Sequence, residues 1–267
     1  MRKKKIIFYV LLILSLILLI ILSIISVKEL KKKVVANKCM QNAYNFESSS
    51  PFSINKIVYF SSANCTTNIN PNSSFNISNL HQYTDIAIFI NNNADGNFTA
   101  KNTLKNVSLS NINFSLSPSI GTPNLYFKNL NNFASDNYDE KNKIEDKIEF
   151  ATSSEDTIDY SLPVLFNNCA NPVTLSYVNS NLISDYTLGD TISNISYDGS
   201  LLKNCNITLN SIACKISFLI TIVNNLDEVY ECPMTLSIPL STESSTIYDG
   251  SLILNSSLDY NFIKIKK

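Results

Sequence analysis

The feature that most constrains the fold is a period-two pattern of apolar residues near the C-terminus. In the stretch SIACKISFLITIVNNLDEVYECPMTLSIPL, every second residue is apolar from Ile212 to Ile222 and again from Tyr230 to Leu240. Such a period of two is typical of β-strands with one buried face, and the intervening NNLD supplies turn residues. The sequence therefore predicts a long β-hairpin that buries one face.

Shorter segments rich in Ile, Val, Leu, Phe, Tyr and Thr recur along the chain, separated by Asn, Asp, Ser, Gly or Pro. We expect them to be strands, at residues 56–60, 85–90, 104–116, 124–127, 163–166, 172–178, 201–209 and 252–262. No sustained helical period follows residue 27, and strands without helical crossovers pair antiparallel. The predicted fold class is an all-β, antiparallel β-sandwich with Ig-like architecture.

The tetrapeptide Tyr-Asp-Gly-Ser occurs twice, around Asp198 and around Asp249, each time ahead of an apolar run. An Asp-Gly pair next to strand-forming residues is a favoured tight turn, because its backbone tolerates positive φ. We expect both copies to be turns that start a strand. A duplicated unit is the alternative, although the residues that follow the two copies align poorly.

A polar, acidic segment at residues 136–156 separates two strand-rich regions. Its charge and its scarcity of apolar residues indicate a linker or an exposed loop. The lengths on either side suit a first β-sandwich at 51–135 and a second at 157–267. A single larger sandwich with insertions is the alternative.

The N-terminal region contains an uncharged apolar run at residues 6–27. At a rise of about 1.5 Å per residue, a helix of this length spans a hydrocarbon core of about 30 Å. No small-residue cleavage site follows, so we expect an uncleaved transmembrane signal anchor in the cell membrane. Residues 1–5 would be a cytoplasmic tail, 28–50 a juxtamembrane linker, and the rest of this single-pass chain extracytoplasmic. Lysines flank both ends of the run, so the positive-inside rule favours this orientation only weakly.

The charge balance beyond the anchor argues against nucleic acid as a partner. Residues 34–267 hold 13 Lys and 21 Asp or Glu, a net charge of about −8. Binding to a phosphate backbone requires clusters of Lys or Arg, and the only arginine, Arg2, precedes the anchor. We expect the membrane, through residues 6–27, and a protein or surface partner.

Six cysteines allow disulfides in an extracytoplasmic chain. Four are candidates because they lie in the C-terminal strand-rich region, mostly in phase with apolar residues: Cys169, Cys205, Cys214 and Cys232. Buried free thiols are the alternative. In a hairpin that turns at NNLD, Cys232 would face about residue 219, so Cys214 and Cys232 are not directly opposite. A single histidine cannot complete a Cys₂His₂ zinc site, and we expect no metal.

Catalytic signals are weak. The only histidine, His81, lies just before a predicted strand and near Asp85, but a histidine at a strand edge is most often an ordinary surface residue. The chain contains no G-x-S-x-G, Walker or H-E-x-x-H motif. Acidic residues around position 140 could bind Ca²⁺, but they lack EF-hand spacing, which favours a solvated loop. We therefore expect neither an enzyme nor a cofactor.

Together these features predict a membrane-anchored surface or envelope protein with a non-catalytic binding or structural role. One alternative is an assembly subunit of a pilus-like or secretion machine, in which an apolar N-terminal helix packs in a bundle. Against it, Lys31 to Lys33 end the apolar run at the membrane. The other alternative is a membrane-anchored hydrolase of the Ser-Lys type, whose motif the sequence does not match.

Overall fold

The computed structural model describes residues 50–69, 75–183, 186–188, 199–238, 250–255 and 260–265. Residues 50–267 belong to one compact unit. The predicted cytoplasmic tail, the transmembrane segment at 6–27 and nearly all of the predicted linker at 28–50 lie outside the described residues. Within the described ranges, no helix has the length and apolar character needed to cross a membrane.

Strands make up most of the described chain. They are β1 (Ser53–Ile69), β2 (Phe75–Asn91), β3 (Leu104–Leu116), β4 (Thr122–Phe127), β5 (Lys143–Ile144), β6 (Ile148–Ser153), β7 (Val164–Phe166), β8 (Val173–Ile183), β9 (Tyr186–Leu188), β10 (Cys214–Asn224), β11 (Val229–Ile238), β12 (Gly250–Asn255) and β13 (Ile263–Ile265). Two short helices, α1 (Gly199–Asn204) and α2 (Leu209–Ile212), precede β10. Single 3₁₀ turns form at Leu130–Asn132 and Glu140–Asn142.

The strands form two sheets, as expected for an all-β sandwich. Sheet 1 has the order β12-β1-β2-β8-β4-β5, and β9 also pairs with β2. Sheet 2 has the order β13-β11-β10-β3-β6-β7. The expectation of purely antiparallel pairing is wrong at one place, because β6 and β7 are parallel. The ten residues between these two strands carry the chain back only as far as Ala151, so that β7 pairs with the second half of β6, and the Ala151 N–H donates to the Pro163 carbonyl there.

The predicted hairpin is confirmed as β10 and β11. Alternate residues of both strands are buried, in the phase that the sequence predicts. Cys232 pairs with Ile220, and Cys214 pairs with Ile238. The register is therefore one residue away from the expected pairing of Cys232 with residue 219, and the two cysteines are not opposite each other.

The main hydrophobic core contains residues from both predicted sandwiches, including Ile57 and Ile88 from the first and Leu175, Ile220 and Leu236 from the second. This interleaving differs from the expectation of separate sandwiches at 51–135 and 157–267. The reason lies in strand pairing: β8 lies between β2 and β4, and β10 lies between β3 and β11. The chain therefore forms one sandwich, which is the alternative that the sequence left open.

The predicted linker at 136–156 is also different in the structure. It contains β5 and β6, which add to sheet 1 and sheet 2 respectively. Ile144 and Phe150 in these strands are buried and belong to the main core. The segment is therefore an integral part of the sandwich, because its strands pair with both sheets and its apolar residues are in the core. The charged residues between Ile144 and Phe150 are those that made it look like a linker.

Most of the other predicted strands are found, but the segment at 201–209 is not a strand. It holds α1 and the start of α2, with Leu201, Leu202 and Cys205 buried. The spacing of these three residues places them on one face of a helix. The second Tyr-Asp-Gly-Ser copy leads into β12 as expected, whereas the first leads into α1.

A smaller hydrophobic cluster forms around α1, and we call it the α1 cluster. Its buried members come from β1, β2, β8, β9, α1, α2 and the turn between the two helices: Ala63, Ile77, Leu80, Leu182, Leu188, Leu201, Leu202, Cys205, Ile207 and Ile212. Cys65 packs against it. This cluster fixes α1 against sheet 1, beyond the main core.

Candidate functional site

The outer face of sheet 1 carries the most distinctive polar chemistry of the described residues. In the central part of β2, Ile86, Ile88 and Ile90 belong to the core between the sheets. Asp85 lies on the opposite face by strand alternation, yet it is fully buried. The residues after β4, from Lys128 to about 142, fold over this face and exclude water from it. We call this segment the β4–β5 loop.

An ion pair between Asp85 and Lys128 lies beneath the β4–β5 loop. The Lys128 Nζ atom is 3.1 Å from Asp85 Oδ2, and their side chains are 1% and 0% exposed. Lys128 Nζ also donates to the carbonyl oxygens of Ser135 and Asn137, at 2.7 Å each. Three oxygen acceptors around the ammonium group thus replace its water shell.

The carboxylate of Asp85 is equally well surrounded. Its Oδ1 accepts a hydrogen bond of 2.6 Å from Ser176 Oγ, and its Oδ2 accepts one of 2.9 Å from the Ala134 N–H. Burial raises the pKa of the Asp85 carboxyl, whereas Lys128 and these hydrogen bonds act in the opposite direction. Because every group is paired inside the protein, this network holds the loop in place and has no free group for chemistry.

Aromatic rings extend from this network along the outer face of sheet 1. Tyr126 and Tyr138 have ring centroids 4.9 Å apart, and the ring of His81 lies 6.1 Å from that of Tyr138. The Tyr126 hydroxyl donates to Glu140 Oε1 at 3.1 Å. The β4–β5 loop therefore brings Tyr138 over the sheet, next to the only histidine of the chain.

A polar cavity of about 350 Å³ lies beside Tyr138, and we call it the asparagine cavity. Its lining residues come from β1, β2, β8 and the β4–β5 loop: Asn64, Cys65, Thr66, Asn79, His81, Tyr138, Ser180 and Asn181. None of the eight is Asp, Glu, Lys or Arg. Amide groups both donate and accept hydrogen bonds, so this lining suits an uncharged polar ligand.

The asparagine cavity brings Cys65 and His81 together, because Asn64 is the register partner of His81 across β1 and β2. Sequence reasoning placed His81 just before a strand, whereas it lies within β2. It did not single out Cys65. The signal that could have found Cys65 is the pairing of the two long strands, which a sequence shows only when their register is known.

The two residues do not form a nucleophile–base pair. His81 Nδ1 is 3.2 Å from the Asn79 carbonyl oxygen, and His81 Nε2 is buried without a hydrogen-bond partner. Burial raises the pKa of the Cys65 thiol to about 11. A thiol of this pKa is protonated at neutral pH, and a catalytic cysteine needs the reverse shift.

A second cavity, of about 390 Å³, borders the other part of the β4–β5 loop. Its lining is also rich in amides and includes Tyr138: Phe127, Asn129, Asn132, Asn137, Tyr138, Asp139, Asn142 and Ser161. Tyr138 therefore separates two polar cavities on the same face of the protein. The positions of the lining side chains are more firmly fixed in the first cavity, because strands of sheet 1 supply most of its lining.

The four candidate disulfide cysteines are free thiols in the structure. Cys214 and Cys232 are buried in the main core, Cys169 is half-buried beside it, and Cys205 is in the α1 cluster. Burial raises the pKa of all four thiols, to about 12 for Cys169 and Cys232 and about 11 for Cys205 and Cys214. Across the hairpin, Cys214 faces Ile238 and Cys232 faces Ile220, so these two thiols are not placed to bridge each other.

Neither the acidic residues nor the cysteines form a metal site in the described ranges. No group of three or more His, Cys, Asp or Glu side chains there is close enough to hold an ion. Several acidic side chains instead face neighbouring groups of the protein. Asp139 caps the second 3₁₀ turn, and Glu145 lies 3.3 Å from Lys143.

The chain has no match among protein-family models, curated proteins or solved structures. A β-sandwich supports many unrelated functions, so the fold by itself assigns none. The functional argument therefore rests on the two cavities and on the residues that shape them.

Proposed function

We propose that this protein is a membrane-anchored protein of the cell surface or envelope, whose β-sandwich binds a ligand without catalysing a reaction. Residues 6–27 would form the transmembrane helix, with the N-terminus in the cytoplasm and an Ig-like sandwich outside. The length of the apolar run supports the membrane helix, and Arg2 and Lys3–Lys5 before it favour the cytoplasmic N-terminus weakly.

The observation that carries the proposal is the uncharged, amide-rich lining of the asparagine cavity. Asn181 presents an amide that can both donate to and accept from a ligand hydroxyl. Asn64 already donates to Asp136 and accepts from the Cys65 N–H, and Asn79 donates to Thr66 Oγ1, so these two amides offer a ligand their remaining N–H and lone pair. The rings of Tyr138 and His81 offer flat faces for the C–H surface of a pyranose ring. This combination fits a neutral saccharide better than a charged ligand, because no side chain in the lining would neutralise a charge.

The same cavity argues against catalysis. Its one thiol, Cys65, has a raised pKa, and no described hydrogen bond joins it to His81. Hydrolysis of a glycosidic bond uses a pair of carboxylates, and no carboxylate lines the cavity. We therefore expect binding with no turnover of the ligand.

The test is to measure binding of the full-length protein, reconstituted in lipid nanodiscs, to a panel of neutral oligosaccharides. We expect at least one member to bind, and Asn181→Ala to weaken that binding about 10-fold, the effect of losing one or two hydrogen bonds. Asn210→Ala is the matched control, because Asn210 is exposed on α2 and does not line the cavity. If no saccharide binds, or if both variants bind equally well, the assignment of this ligand is wrong.

The anchor is tested separately. Alkaline carbonate should leave the full chain in the membrane fraction, and deletion of residues 6–27 should release it. A membrane-impermeant amine reagent applied to intact cells should label exposed lysines such as Lys101 and Lys215. Labelling that requires prior lysis of the cells would contradict an extracytoplasmic sandwich.

A further inference from the structure

Cys65 lies where β1 meets the α1 cluster. Ala63 and Cys65 are two residues apart on β1, so their side chains point to the same face, and both contact this cluster. The pairing of β1 with β2 is irregular between Asn64 and Thr66, which places Cys65 at a bulge. The extra residue of this bulge is on β2, where Asn79 and Leu80 lie opposite Cys65. Cys65 packs against the cluster and is also one of the residues that line the asparagine cavity.

Cys205 approaches the same place from the other side. It directly follows α1, and its N–H donates to the Leu201 carbonyl at 3.0 Å. The Ile207 N–H donates to the Leu202 carbonyl at 2.9 Å, and Asn206 has a φ of 59°. These bonds close the end of the helix in a fixed conformation, and α1 packs against β1. The Cys205 side chain is therefore held inside the α1 cluster, against which Cys65 also packs.

Cys65 and Cys205 share the α1 cluster, and the elements that carry them, β1 and α1, pack against each other. Burial raises the pKa of the Cys205 thiol to about 11, and the neighbouring Cys65 adds to the rise because two thiolate charges would repel each other. In the hydrogen bonds of the described residues, neither sulfur takes part. Cys214 and Cys232, by contrast, lie in the main core opposite aliphatic residues, Ile238 and Ile220.

We propose that Cys65 and Cys205 form a disulfide when the protein meets a disulfide oxidant. The Cys65 thiolate attacks one sulfur of the oxidant R–S–S–R, which gives a mixed disulfide and releases one R–S⁻. The Cys205 thiolate then attacks the Cys65 sulfur and releases the second R–S⁻. The protein loses two electrons and two protons, and the oxidant is reduced to two thiols. This disulfide is not one of those expected from the sequence, because Cys65 is not among the four candidate cysteines.

The burial of the two residues sets the order of these steps. Cys65 is half-buried and lines an open cavity, so a small oxidant can reach it. Cys205 is buried, so it acts as the resolving thiol. Because the pKa of each thiol is about 11, the thiolate fraction rises about 10-fold per pH unit near neutrality. We expect the rate of disulfide formation to rise by the same factor between pH 7 and pH 8.

The test uses the reduced full-length protein with Cys39→Ser. This change removes a thiol that lies outside the described residues and could compete for the oxidant. The protein is incubated with oxidised glutathione, quenched with acid, alkylated under denaturing conditions and digested without reductant. We expect a cross-linked peptide pair that joins Cys65 to Cys205, while Cys169, Cys214 and Cys232 are alkylated. The intact protein before alkylation should be about 2 Da lighter than the reduced form.

The variants Cys65→Ser and Cys169→Ser are the matched pair. We expect Cys65→Ser to abolish the cross-link and leave Cys205 open to alkylation, and Cys169→Ser to leave the cross-link intact. Two results would overturn the proposal: stable glutathione adducts on Cys65 without a link to Cys205, or a link that joins either cysteine to a different one. Neither outcome depends on saccharide binding, so this proposal and the proposed function fail independently.

Discussion

At the scale of single residues, the buried pair of Asp85 and Lys128 is the most consequential feature. Buried charges carry a large desolvation penalty, which attraction and hydrogen bonds must offset. Here Lys128 has the Asp85 carboxylate and two carbonyl oxygens, and Asp85 has Ser176 and the Ala134 N–H. Ala134, Ser135 and Asn137, whose N–H and carbonyl groups bond to the pair, all belong to the β4–β5 loop, so the pair determines where that loop and Tyr138 lie.

We predict that Asp85→Ala destabilises the full-length protein by about 3–5 kcal/mol, because it leaves a buried ammonium group without its counter-charge. The measurement is the free energy of unfolding in urea. Glu145→Ala is the control, because Glu145 pairs with Lys143 at the surface, where the two side chains are 79% and 36% exposed. The control should cost less than about 1 kcal/mol. Equal losses in the two variants would mean that the buried pair does not hold the loop.

A second residue-scale prediction concerns Glu228, at the turn of the hairpin. Hydrogen bonds from Lys264, Asn224 and Tyr230 lower the pKa of the Glu228 carboxyl to about 2, from an ordinary value of 4.5. A carboxyl with a depressed pKa stabilises the fold above its unfolded-state pKa, and that contribution is lost as the pH falls. The window of loss therefore runs from about pH 4.5 down to about pH 2.

We expect the free energy of unfolding of the wild type to fall across this window by about 1 kcal/mol more than that of Glu228→Gln. The figure is modest because Lys264 and Glu228 are partly exposed, at 39% and 24%, and solvent screens their attraction. Urea unfolding at pH 5 and at pH 2.5 measures the difference. Glu231→Gln, three residues further on and within β11, keeps Glu228 and its three partners intact and should show the wild-type difference between the two pH values. Identical pH dependence in wild type and Glu228→Gln would show that the pKa of the Glu228 carboxyl is not lowered by folding.

At the scale of elements, Gly121 determines how the chain enters β4. Its φ is +83°, and a Cβ atom there would lie 2.3 Å from Asn179 Oδ1 and 2.8 Å from Leu182 Cδ2. Asn179 is fully buried on β8, and its Nδ2 donates to the Ile120 carbonyl at 3.2 Å. The entry to β4 is thus packed directly against β8, and it has no space for a side chain.

We predict that Gly121→Ala costs about 2–4 kcal/mol of unfolding free energy, from backbone strain together with overpacking. Gly96→Ala is a matched control, because Gly96 has a φ of +84° but nothing within 4 Å of its missing Cβ. The control should show the strain alone, about 1 kcal/mol. Urea unfolding of both variants gives the comparison, and a Gly96→Ala loss as large as that of Gly121→Ala would rule out the packing argument.

The elements also show what the sequence can predict. The period of two in β10 and β11 is long enough to give both strands, their buried face and the turn. Leu201 and Leu202 in α1 and Cys205 just after it have helical spacing, but a helix of six residues is too short to separate that period from a short strand. The asparagine cavity could not be predicted, because its residues come from three strands and a loop whose register is set only by the folded sheet. Asp85 and Lys128 are similarly distant in sequence, and composition alone argues against burying either.

At the scale of the whole molecule, strands from the two halves of the chain alternate within the same sheets. The strand β8 from the second half lies between β2 and β4 from the first, and β10 lies beside β3. The sequence could not show this arrangement, because a charged segment between strand-rich regions looks the same whether it links two domains or connects strands of one. The core that joins both halves is continuous, from Phe52 to Phe262.

The interleaving predicts how the protein behaves when its chain is cut. A recognition site for a sequence-specific protease inserted after Glu155 lies in the exposed turn between β6 and β7. Cleavage there should leave both fragments together, because their separation would break the pairings of β2 and β4 with β8, and of β3 with β10. An affinity tag at the N-terminus should therefore retain the C-terminal fragment after cleavage, until urea unfolds the complex in a single transition. The uncut insertion variant is the control and should unfold in one transition as well. Release of the C-terminal fragment in native buffer, with β-structure retained in each piece, would mean that 51–135 and 157–267 are separate sandwiches after all.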